Sequence, residues 1–72
     1  MTLRELRKTA GLTAAAVAEK LVVAVSTLYH YEQGIRQIYL RQVLSLAELY
    51  DVTEREVIEA QIESVRERKT GI

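Results

Sequence analysis

The chain has 72 residues, a formal net charge of zero, and no cysteine, proline, phenylalanine or tryptophan. That length holds one small domain with a modest core, and without cysteine there is no disulfide framework, thiolate metal site or cysteine nucleophile. No apolar run approaches the roughly 20 residues of a membrane span, and no basic segment leads into an apolar one at the N-terminus, so a cytoplasmic protein without membrane contact is expected.

Ala, Leu, Val, Glu and Arg dominate, which favours an all-α domain. The charge is unevenly placed: residues 1–12 carry +2, 13–33 carry −1, 34–50 carry +1 and 51–72 carry −2. With no overall basic excess, any case for nucleic acid has to rest on local geometry.

Thr2-Leu3-Arg4-Glu5 has the form in which a hydroxyl and a carboxylate satisfy each other's helix-end amides, and Leu3 and Leu6 then share one face. The first helix is expected to run to about Thr9, with Gly11 ending it. Thr13 is the next N-cap, and Val17, Ala18 and Leu21 follow at helical spacing, so the second helix ends near Leu21. After a short Val22-Val23-Ala24 connection, Leu28 and Tyr31 lie three apart, and Gly34 offers a left-handed stop to a third helix of about two turns. Residues 34–39 read as a loop. Leu40, Val43, Leu44, Ala47 and Tyr50 then repeat at three and four residues, predicting a fourth helix with these apolar residues as its stripe. Thr53-Glu54-Arg55-Glu56 is a second capping box, and Val57, Ile58, Ile62 and Val65 carry an apolar stripe into the charged run Arg66-Glu67-Arg68-Lys69. The fifth helix is therefore expected to outrun the core.

A helix, tight turn, helix unit at the second and third positions is the architecture of one class of DNA-binding domain. The segments LRELRKTAGLT, AEKL, STLYHYEQG and LSLAELYDV have the order and spacing of the phage-repressor-like (Cro/cI-type, lambda-repressor-like) helix-turn-helix family, which the chain resembles from about Leu3 to Ile58. The resemblance implies a five-helix domain over residues 1–60, with residues 61–72 as a helical extension and dimer contact. It also implies a transcriptional regulator of phage or bacterial type that binds double-stranded DNA as a homodimer, with helix 3 in the major groove.

Carried over by position, the base-reading residues fall on Val25, Ser26, Tyr29 and His30, and the DNA-backbone contacts on Thr13, Thr27, Arg36, Gln37 and Arg41. Arg4 or Lys8 would extend Arg36 and Arg41 into a discontinuous basic rim. Arg7 and Glu32 match positions that pair between helices 1 and 3, a structural ion pair that orients helix 3. Tyr31 matches a core position, so Tyr29, two residues away, faces outward. Ile62 and Val65 are expected either at a two-fold dimer contact or folded back on helix 1.

The chain also departs from the family pattern. Where members often carry glutamine, glycine, and serine followed by a polar or basic residue, it has Ala14, Val22 and Ala24-Val25, which removes hydrogen-bonding groups from the reading surface. Val25 suits a thymine methyl group, a core position or a dimer contact equally. These departures, with the zero net charge, motivate a second reading: a protein-interaction module on the same fold with weakened DNA binding. An enzyme is not expected. Ser26 and His30 lie four apart, but a nucleophile and base need an orienting group and an oxyanion site, which so small a chain with one histidine does not suggest. His30 has no companions for a metal site, and no cofactor is implied.

Overall fold

A computed structural model describes residues 1–70, so the last two residues of the extension expected over 61–72 lie outside the described residues. The described residues form five helices and no strand: α1 Leu3–Thr9, α2 Ala14–Leu21, α3 Val25–Glu32, α4 Leu40–Tyr50 and α5 Glu54–Thr70. Three of the starts are set by threonine. Thr2 and Glu5 exchange both capping hydrogen bonds, Thr53 and Glu56 do the same, and the Thr13 hydroxyl oxygen accepts the Ala16 amide at 3.1 Å. At α4 a glutamine serves instead: Gln42 Oε1 accepts the Tyr39 amide at 2.7 Å. Only α3 starts without a side-chain cap, because its N-cap is Ala24.

The helix ends are less uniform. Gly11 and Gly34 take positive φ as expected, but so do two residues with side chains, Val22 at φ 57° and Asp51 at φ 54°, closing α2 and α4. Aspartate tolerates the left-handed region through its short polar side chain; a β-branched valine does not. Val22 is thus strained, and 89% exposed.

The core is built from Leu3, Leu6, Val17, Ala18, Leu28, Tyr31, Val43, Leu46, Ala47, Tyr50, Val57 and Ala60, with Leu28, Leu46, Val17 and Val57 fully enclosed. α2 packs on α3, α4 packs on α5, and α5 also lies across α1 and α3. The inward face of α4 differs from the expected stripe. Leu40 and Leu44 are 77% and 54% exposed, while Gln42, Val43, Leu46, Ala47 and Tyr50 face the core. The reason is polar: Gln42 is drawn inside by donating from Nε2 to the Tyr31 hydroxyl at 3.2 Å, and residues 40 and 44 then rotate out.

There is no break at residue 60. Ala60, Gln61 and Ser64 are buried on one side of an unbroken α5. Ser64 Oγ accepts the Leu3 amide at 3.2 Å, so the far half of α5 holds the start of α1. Ile62 and Val65 do not fold back on α1. They lie with Ile38, Val43 and Ile58 along a groove of about 450 Å³ on the α4 side.

Candidate nucleic-acid interface

α3 is the element to which the sequence assigns contact with an external partner, and three neighbours hold its inner side. From α1, Arg7 Nε donates to Glu32 Oε2 at 2.6 Å and Nη2 donates to Oε1 at 3.2 Å, while Nη1 donates to the Leu12 carbonyl at 3.2 Å. The pair is bidentate, with side chains 10% and 3% exposed. Its carboxylate raises the Arg7 pKa above the usual arginine range, and burial, helped by the same carboxylate, raises that of Tyr50, so Arg7 stays charged and Tyr50 neutral. From α4, Gln42 donates to the Tyr31 hydroxyl. From α5, Gln61 Nε2 donates to the Tyr31 carbonyl at 3.2 Å, and its Oε1 accepts the Ile38 amide at 2.8 Å. One glutamine therefore fixes both the end of α3 and the loop behind it.

With Leu28, Tyr31 and Glu32 inward, the 100° step of a helix turns Ser26, His30 and Gln33 to the opposite side. Ser26 and Gln33 are exposed, His30 is half-buried, and the three stand four and three residues apart along one strip. Gln33 carries a donor and an acceptor on the same side chain. It is not evident from the sequence because it sits at the boundary, as the C-cap of α3, next to the glycine that ends the helix. The signal was its three-residue spacing from His30.

The other expected contacts distribute around this strip. Tyr29 is 44% exposed and turns toward α1, lining a groove of about 740 Å³ with Arg4, Gln33 and Arg68, whose floor is the Arg7–Glu32 pair. Tyr31, two residues on, is 4% exposed. Val25 is 39% exposed at the start of α3, and Thr27 is half-buried on its flank. Thr13 is exposed, though its oxygen already caps α2. Ala14 is 6% exposed, so the position where family members often carry glutamine has turned into the core.

Arg36 and Arg41 are exposed, and the Arg36 amide donates to the His30 carbonyl at 3.2 Å, which ties its backbone to the end of α3. The Arg41 guanidinium lies over the Tyr39 ring, 5.0 Å from its centroid, an arrangement that steadies the cation without using its hydrogen-bond donors. Gln37 is exposed and borders the apolar groove beside Ile62 and Val65.

The arrangement offers a braced helix with a mixed polar face, and the exposed guanidinium groups of Arg36 and Arg41 lack a carboxylate partner among the described residues. Among the same residues no three of His, Asp and Glu stand together as metal ligands, and no helix is long and apolar enough to cross a membrane. No curated protein and no solved structure matches the chain. The family description of a helix-turn-helix domain matches residues 1–60, which take in α1 to α4 and the beginning of α5, and the chain belongs to that family.

Proposed function

We propose that the protein is a sequence-specific DNA-binding transcriptional regulator of the phage-repressor-like kind, acting in the cytoplasm as a homodimer. α3 enters the major groove, Ser26, His30 and Gln33 meet base edges with Tyr29 and Val25 on their flanks, and Arg36 and Arg41 meet phosphates. The observation that carries this reading is the strip on α3. It is polar, with Ser26 and Gln33 exposed and His30 half-buried, on a helix whose inner side is held by Arg7, Gln42 and Gln61, so its side chains are presented without a large cost in ordering.

Anisotropy titrations on duplex DNA at several salt concentrations test it. Phosphate contacts displace condensed counterions, so affinity is expected to fall steeply with salt, and Arg36→Ala or Arg41→Ala to lower the slope by about 1 each. A folded protein that binds no duplex at low salt would overturn the reading. The second reading, a protein-interaction module, is favoured by Ala14, Val22 and Val25 and by the zero net charge. It takes the first one's place on that outcome.

A further inference from the structure

α3 presents two different surface chemistries, one at its start and one along its outer strip. At its start, Ala24 is exposed and gives the helix end no side-chain hydrogen bond, and Val25 follows at 39% exposure. On the preceding helix the exposed Ala15 and Ala16 add no polar group either. From Ser26 onward the strip carries a hydroxyl, an imidazole and a carboxamide. One end of the reading helix thus carries hydrogen-bonding side chains and the other only apolar ones.

In a major groove the thymine C5-methyl is the only methyl group that a base pair displays. The amino, carbonyl and ring-nitrogen groups of the other edges would be stripped of water against Val25 and receive nothing in return. Val25 is also β-branched, and in a helix such a side chain keeps essentially one rotamer, so its two methyl groups form a fixed shape. We propose that α3 reads thymine through its C5-methyl group at the base step facing Ala24 and Val25, while Ser26, His30 and Gln33 read the neighbouring pairs by hydrogen bonds. This deepens the DNA-binding reading and rests on it.

Selection from randomised duplexes, followed by anisotropy on the enriched sequence with each thymine replaced in turn by deoxyuridine, removes single methyl groups and nothing else. At one or two positions the wild type is expected to lose about fourfold in affinity, the factor that burial of one methyl-sized group gives. Val25→Ala is expected to bind thymine and uracil duplexes within twofold of each other there. An enriched sequence in which every thymine tolerates uracil would overturn this inference and leave DNA reading intact. A uracil effect unchanged in Val25→Ala would overturn the assignment to Val25. Failure to enrich or bind any duplex would overturn DNA reading and this inference together.

Discussion

Gly34 and Gly11 share a φ of 75°, yet their surroundings separate them. A Cβ on Gly11 would meet nothing within 4 Å, whereas one on Gly34 would stand 2.7 Å from the Ser64 carbonyl oxygen and 2.8 Å from the Val65 Cα. Gly11→Ala should therefore cost only the left-handed penalty, about 1 kcal/mol. Gly34→Ala adds a clash with helix backbone that cannot swing aside, and a loss of about 3 kcal/mol or more is expected. Urea denaturation of both variants checks this, and equal losses would mean that α5 yields to the added group. The Arg7–Glu32 pair poses a different question, because two charges leave water together. Arg7→Met or Glu32→Leu alone strands a buried charge, for which about 3–5 kcal/mol is expected, while the double variant should recover much of that loss. A double-mutant cycle measures it; small, additive effects would show that water reaches both groups.

At the scale of the element, what could be read from the chain was what depends on near neighbours. Thr2 with Glu5 and Thr53 with Glu56 are partners three residues apart, so their helix starts are visible in the sequence itself. The face that α4 turns inward was not visible. Leu40 and Leu44 fit the apolar period as well as the true core residues do, and the deciding contact, Gln42 to the Tyr31 hydroxyl, spans 11 residues. The same holds for Gln61 and Ser64, which look like polar interruptions of α5 until the Tyr31 carbonyl and the Leu3 amide arrive beside them. On α3 the outward placing of Ser26 and His30 follows from the spacing of Leu28 and Tyr31, whereas that of Gln33 depends on how the helix ends. The end of α2 supplies a test on this scale. Left-handed φ costs a residue with a side chain about 1–2 kcal/mol, and glycine returns about 0.4–1 kcal/mol of that to the unfolded chain. Val22→Gly should therefore raise stability by about 0.5–1 kcal/mol, read as a higher urea midpoint. A lower midpoint would mean that the exposed valine makes contacts in solution that offset its strain.

For the whole molecule the question is what covers the second face of α5. Its first face is occupied by α1, α3 and α4 through Val57, Ala60, Gln61 and Ser64. On the other, Ile58 and Ile62 are each 44% exposed, and Val65 continues the line at helical spacing beside the groove with Ile38 and Val43. Val43 brings α4 into this groove, so the aliphatic surface involves two helices. A second copy of the chain is the occupant expected on this face. In an antiparallel pairing that sets Ile58 opposite Val65 of the second copy, the two-fold axis also sets Glu54 opposite Lys69, and each contact occurs twice. A two-fold pair of this kind is what half-sites about 34 Å apart require of two reading helices. Wild-type protein is expected to sediment as a dimer, and the Ile62→Glu, Val65→Glu double variant as a folded monomer. Glu54→Lys should weaken the dimer by placing like charges opposite each other, and adding Lys69→Glu should restore it, a rescue that loss of folding cannot imitate. Wild-type protein that stays monomeric at high micromolar concentration would sink the dimer, and a dimer indifferent to the charge exchange would retain the surface but not this register.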